Sequence, residues 1–180
     1  MLSDEELMIE LNNKNLEVYD VLYHRWAQTL YRFIYLYIQE KGMTEDILQE
    51  AFIRVYTKRH QFDSEKALFK TWLHRIAYRL CIDYYRKHSK YTSVNLEQSQ
   101  HLLESPGAEK KAVNNIFVEH LLCTLPKEEQ AIVILTFYQD FSTKEIAHIL
   151  KKPEGTIKSK RHYIFKKLNK QFIEGADYYA

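Results

Sequence analysis

Apolar and aromatic residues recur at three- and four-residue spacing through Val18, Leu22, Trp26, Leu30, Phe33, Ile34 and Tyr37, which predicts one long helix from Leu16 to Ile38, ending before Gly42. A second helix is expected to start at Thr44, a good N-cap, with Glu45 and Asp46 in the first turn where the helix dipole favours anions. Its residues Ile47, Leu48, Ala51, Phe52, Val55 and Tyr56 make one apolar stripe that has to face a core. A third helix, Phe69 to His88, carries Phe69, Leu73, Ile76, Ala77 and Leu80 on its inner side and Arg75, Arg79, Arg86 and Lys87 on its outer side. From Ser89 to Pro106 the periodicity lapses into Ser, Thr, Asn and Gln, and Ser105-Pro106-Gly107 is a strong breaker, so this stretch reads as a linker.

Periodicity returns at Val113, Ile116, Phe117, Leu121 and Leu122, and Leu125-Pro126 restarts a helix holding Ile132, Val133, Leu135 and Phe137. Ser142-Thr-Lys-Glu145 is a capping box that opens a short helix with Ile146, Ala147, Ile149 and Leu150 inside. Lys151 to Gly155 stops it, and a last helix continues to about Phe172. The expected fold is all-α: two small helical domains, residues 1–90 and 111–180, joined by a linker over 91–110, with a helix-turn-helix in the second. Only four Gly and three Pro among 180 residues agree with a helical chain.

Charge changes the picture more than composition does. Residues 1–53 hold 4 basic and 10 acidic side chains, whereas 54–90 hold 10 and 3, and 151–170 hold 8 and 1. Two basic stretches flanking a mildly acidic middle suggest two nucleic-acid contacts, although basic runs alone fit solvated helix faces equally well. Within the helix-turn-helix, Ile157, Ile164 and Leu168 would anchor the second helix inward, leaving Lys158, Ser159 and His162 as candidates for base edges in the major groove. Lys144, Thr156, Lys160 and Lys166 are better placed for phosphates.

Upstream, Phe62, Phe69, Trp72, Tyr78, Tyr84 and Tyr85 interleave with Lys70, Arg75, Arg79 and Arg86, the combination that holds single-stranded nucleic acid by stacking bases and following the backbone. Phe69 belongs to the core stripe, so the functional reading rests on Trp72, Tyr78 and the cations. Asp46, Gln49 and Glu50 form a polar stripe opposite the apolar face of their helix, which reads either as plain surface or as an interface.

Other chemistries find little support. His120-x-x-Cys123 lacks a second ligand pair, so no metal is expected, and no Gly-rich phosphate loop, nucleophile elbow or partnered carboxylate pair stands out. No catalytic residue, cofactor or small-molecule substrate is expected. The two cysteines, Cys81 and Cys123, have no framework spacing, Ser3, Asp4, Glu5 and Glu6 open the chain where a signal segment would be basic and then apolar, and no apolar run reaches membrane length, all of which predicts a soluble cytoplasmic protein.

Taken together, these motifs resemble bacterial RNA polymerase sigma factors. Asp46-Ile-Leu-Gln49-Glu50-Ala-Phe52 is similar to the D-x-x-Q-E-x-F signature by which that family docks its second conserved region on the core polymerase clamp. Phe69-Lys-Thr-Trp72-Leu73-His-Arg-Ile76-Ala77 with Asp83 and Arg86 resembles the helix that opens and reads the minus-ten element. Leu125-Pro126, Phe141 to Ala147 and Pro153 to Ser159 resemble the fourth region, which reads the minus-thirty-five element. The short linker leaves no room for a third folded region, which points to the compact extracytoplasmic-function group.

The resemblance implies core polymerase bound through Asp46, Gln49, Glu50 and Phe52, promoter DNA, and an anti-sigma factor as partners. It also implies a loop from His60 to Leu68 that pockets a flipped base, and a linker threading toward the active-site channel. Arg79 stands where the family often has Asn, Arg161 where it is usually apolar, and Tyr163 and Phe165 replace common basic residues. The competing reading is a stand-alone helix-turn-helix regulator, which would bind a palindrome as a dimer and need no polymerase-docking stripe. A helical adaptor without a DNA role would leave both basic stretches unexplained.

Overall fold

The computed structural model describes residues 2–88, 122 and 124–176, with side chains through 169. The expected linker, the apolar stretch from Val113 to Leu121 and the His120/Cys123 pair lie outside the described residues. Seven α-helices and no strands occur among the described residues: α1 (Asp4–Asn12), α2 (Glu17–Ile38), α3 (Lys41–Thr57), α4 (Phe69–His88), α5 (Lys127–Phe137), α6 (Thr143–Leu150) and α7 (Glu154–Ala176). A 3-10 turn, Arg59–Gln61, follows α3.

Helix α1 was not expected. Ser3 and Glu6 close a capping box at its start, and Leu7, Met8 and Leu11 bury one face of it. Its acidic first turn is used elsewhere in the fold: Asp4 takes Arg25 and, at 2.9 Å, the indole N–H of Trp26. Glu5 accepts the backbone N–H of Phe69 at 3.0 Å, so a carboxylate from α1 satisfies one of the orphan donors at the start of α4.

Helix α3 begins four residues earlier than the sequence suggests. Glu40 is the N-cap, its carboxylate accepting the N–H groups of Gly42 and Met43 at 2.7 Å each. Thr44 is buried within the first turn and donates its hydroxyl to the Glu40 carbonyl at 2.7 Å. A carboxylate reaching two donors outcompetes the single hydroxyl that Thr44 could offer. Tyr56, expected on the inner stripe, is 38% exposed.

The first four helices enclose a core of Leu22, Leu30, Phe33, Ile34, Tyr37, Ala51, Phe52, Phe69 and Leu73. Among the C-terminal helices, α5 packs onto α2, α6 onto α4, and α7 onto α5 and α6, so α5 and α6 together join the two halves. Six consecutive residues of α5, Gln130 to Leu135, are buried. A helix buried all round cannot be the rim of a small domain; it lies between layers. Its polar member explains why: the Gln130 amide, fully buried, donates to the Leu36 carbonyl at 3.1 Å.

Candidate nucleic-acid interface and docking surface

Region by region, the site residues fall into three surfaces. On α3, Asp46 and Gln49 are exposed and Glu50 is half-buried, its carboxylate held by Arg54 at 2.8 Å one turn later. Phe52 is not on this surface: it is 2% exposed and meets Tyr23 edge-on at 4.8 Å, because the helix turns it inward with Leu48 and Val55. The ring therefore anchors the helix and presents no contact of its own. Ile53, 54% exposed, and Tyr56 continue the Gln49 face at helical spacing, adding an apolar margin to the polar stripe.

On α4, Trp72 is half-buried, its ring 5.4 Å from Phe62 and 6.3 Å from Phe69. Tyr78 is a correction. It is 8% exposed, faces Tyr37 at 6.0 Å, and burial pushes its phenol up to about 12. Position 78 shares the inner face with Leu73, Ala77 and Cys81, so the ring packs the core where stacking on a base was expected. Arg79 and Arg86 are exposed and Arg75 is half-buried. Lys70 is engaged: its ammonium bridges Glu145 at 2.8 Å and sits 4.9 Å above the Phe141 ring.

The third surface is the helix-turn-helix. The expected capping box holds, with the Ser142 hydroxyl accepting the Glu145 N–H at 3.3 Å and the Glu145 carboxylate accepting the Ser142 N–H at 2.9 Å. Burial works to raise the Glu145 carboxyl, but Lys70 and Ser142 bring it below its ordinary range. Lys151 ends α6 in the left-handed region at φ 53°, and its N–H and that of Lys152 both reach the Ala147 carbonyl.

Ile157 and Ile164 are buried and seat α7, as the spacing predicts, and Leu168 packs partly against the core. Lys158, Ser159 and His162 are exposed together on its outer face. Lys144 and Lys166 are exposed, Thr156 is half-buried, and Lys160 pairs with Glu128 at 3.1 Å. The Arg161 stem is half-buried and its guanidinium donates to the Thr143 hydroxyl at 2.6 Å, tying α7 to α6. Tyr163 and Phe165 are 60% and 47% exposed, the latter edge-on to Phe137 at 4.9 Å.

Residues 22–91 match the family model for sigma-70 region 2, and residues 121–170 match that for sigma-70 region 4. The chain is 30% identical over 164 residues to the ECF RNA polymerase sigma factor SigX of Bacillus subtilis, covering 86% of this chain and 83% of that one. The chain belongs to the ECF sigma factors. SigM of the same organism is 29% identical over 144 residues, covering 78% of this chain and 86% of SigM. The fold of the described residues, both halves included, resembles CnrH in its complex with the cytosolic domain of CnrY, at a TM-score of 0.74, 18% identity and coverage of 95% and 97% of the two chains. It also resembles RpoE of Bartonella quintana in complex with the anti-sigma factor NepR, at a TM-score of 0.67, 19% identity and coverage of 84% and 94%.

As an ECF sigma factor, the protein is a non-catalytic specificity subunit: it binds core RNA polymerase and promoter DNA and directs initiation. The regulator reading gives way to this one. Among the described residues, no helix is long and apolar enough to cross a membrane.

Proposed function

We propose that this ECF sigma factor divides its work among the three surfaces, acting in the cytoplasm under the control of an anti-sigma factor. Residues 1–90 form the polymerase-binding and minus-ten domain, 91–110 the linker, and 111–180 the minus-thirty-five domain. Asp46, Gln49 and Glu50 dock on core polymerase, with Ile53 and Tyr56 as the apolar part of the same contact. Trp72 with Lys70, Arg75, Arg79 and Arg86 engages the opened minus-ten strand. Lys158, Ser159 and His162 read base edges of the upstream element, while Lys144, Thr156, Lys160 and Lys166 hold its phosphates.

The observation that carries the assignment is the exposure of Lys158, Ser159 and His162 on the face of α7 opposite its buried anchors Ile157 and Ile164, which is the geometry a recognition helix requires. An anti-sigma partner is supported by the fold's likeness to sigma factors whose structures were determined in such complexes.

Reconstituted transcription tests the reading. The purified chain with bacterial core polymerase on a genomic fragment library should create start sites sharing two spaced upstream elements, which core polymerase alone does not use. If Lys158→Ala and Ser159→Ala leave the upstream consensus and its use unchanged, the recognition face lies elsewhere.

A further inference from the structure

A cleft of about 650 Å³ runs between α4, α6 and the loop that precedes α4, a size within the roughly 300–1,000 Å³ of small-molecule sites. Thr71 and Arg75 of α4 and Lys144 and His148 of α6 line it, with Lys151 at the turn after α6 and Leu68 on the loop side.

Like charges gather here without compensation. Lys66 and Lys152, also on the wall, have Asp63 and Glu128 as partners, and the carboxylate of Glu145 is held by Lys70. Glu65 lines the cleft and is exposed. Among the described residues, neither it nor any other carboxylate is within ion-pair distance of Arg75, Lys144 or Lys151. Burial, and then the Arg75 charge, hold the His148 imidazole below its ordinary range, which is an environment short of negative charge.

Two buried polar atoms on the same wall are also unmatched. Thr71 is 2% exposed, and its Oγ1 has no hydrogen-bond partner among the described residues. His148 Nδ1 is buried and equally unmatched. Buried polar groups in folded proteins are nearly always paired, so a ligand at this wall would supply what both lack.

The combination selects the ligand. Three unpaired cations call for about three negative charges, which two linked phosphates carry at roughly 1.5 each. Their oxygens accept from the Thr71 hydroxyl and from a protonated His148. A nucleic-acid backbone phosphate brings a single charge between two sugars and matches the cluster poorly. Leu68, 50% exposed, adds an apolar shoulder for a sugar or a base.

We propose that this cleft binds linked phosphates, as in a nucleotide or an inorganic polyphosphate, through Thr71, Arg75, Lys144, His148 and Lys151. Arg75 and Lys144 also belong to the DNA surfaces proposed above, so an occupied cleft competes with promoter DNA for them. The site itself does not depend on that reading.

Calorimetric titration of the full chain at physiological salt, where diffuse surface attraction is screened, tests the site without any DNA. One pyrophosphate should bind per chain, at least about tenfold more tightly than orthophosphate. Thr71→Val keeps the shape and removes the hydroxyl, so pyrophosphate affinity should fall about threefold or more, whereas Thr71→Ser should bind as the wild type does. His148→Leu combined with Lys151→Asn, asparagine tolerating the left-handed φ of 53° there, should lower affinity at least about tenfold. Lys158→Gln, on the outer face of α7, should leave it unchanged. Tripolyphosphate and ATP then separate the two sources: tighter binding of ATP assigns a nucleotide with its nucleoside against Leu68, and equal or weaker binding assigns the phosphate chain alone, either one supporting the site.

Absence of pyrophosphate binding overturns the proposal, as does orthophosphate binding equally well. So do several pyrophosphates per chain whose affinity the His148→Leu/Lys151→Asn variant leaves unchanged, since the cations are then an ordinary solvated surface. A Thr71→Val chain that is more heat-stable and binds unchanged also overturns it, because the hydroxyl is then merely trapped. If Thr71→Val loses helix content, the double variant decides alone. All these failures leave the sigma-factor assignment, which transcription tests, standing.

Discussion

His74 is a titratable group buried in the core, and acid should reveal it. The side chain is fully buried between Trp26, Phe33 and Phe141, with ring centroids 6.2, 5.5 and 4.7 Å away. Its Nδ1 lies 2.7 Å from the Lys70 carbonyl, so Nδ1 carries the proton of the neutral ring. Burial is the main force lowering its pKa, and the Lys70 charge adds to it. Hydrogen bonds to the Lys70 backbone and to Gln139 oppose the shift, leaving a value of about 4 against an ordinary 6.5.

The folded pKa is below the unfolded one, so between these values the unfolded chain holds a proton that the native chain does not. Stability is therefore fully present above about pH 6.5 and lost as pH falls toward 4. At 1.36 kcal/mol per pH unit, the loss reaches about 2 kcal/mol by pH 5 and about 3 kcal/mol by pH 4. The assay is urea unfolding at pH 7.5, 6, 5 and 4, followed by the fluorescence of Trp26 and Trp72, the two tryptophans, both in the half that contains His74. His74→Asn removes the titration, and the wild-type advantage over this variant should shrink by those amounts as pH falls. Carboxylates and His148 titrate alike in both chains and cancel. Parallel curves, within about 0.5 kcal/mol, would refute the reasoning.

Three other outcomes are expected. Lys158→Ala should cost about 1 to 3 kcal/mol of upstream-element binding and relax preference at one base position, measured by competition among single-base variants; equal loss on every sequence would make Lys158 a phosphate contact. Glu50→Ala should weaken core polymerase binding in a pull-down titration with helix content unchanged, since its exposed i,i+4 pair with Arg54 is worth only about 0.3–0.5 kcal/mol; unaltered core affinity would withdraw the docking assignment. Lys151→Gly should raise thermal stability of the helix-turn-helix by about 0.5–1 kcal/mol, because glycine relieves the left-handed φ of 53° at slightly greater unfolded-state entropy, and a fall in stability would show that the Lys151 side chain matters more than its backbone.

What could be read from the sequence and what could not divide along a physical line. Local signals were reliable where one residue type does one job: the capping box at Ser142, the apolar spacing of α2 and the inward Ile157 and Ile164 of α7 all hold. Local signals misled where a residue's partner is distant or of a different kind. Helix α1 is short, and its acidic first turn looks like surface until Arg25, Trp26 and the Phe69 N–H supply its partners from elsewhere in the chain. Thr44 was a plausible cap, but Glu40 reaches two donors where a hydroxyl reaches one. Tyr78 lies next to Arg79 and three residues after Arg75 in sequence, yet the helical period turns it inward; Phe52 is on the inner stripe its spacing predicts, and only the family resemblance placed it on the docking surface.

The joint between the halves is the least legible feature, because Lys127 and Gln130 read as ordinary polar residues at the start of a helix. Their role depends on the unsatisfied carbonyls at the end of α2, some 90 residues earlier in the chain. One signal was available: the run Gln130-Ala-Ile-Val-Ile-Leu135 has no polar face at all beyond its first residue, and a helix that offers nothing to water has to be covered on every side. Among the described C-terminal residues, that covering comes from α6 and α7. It comes also from α2.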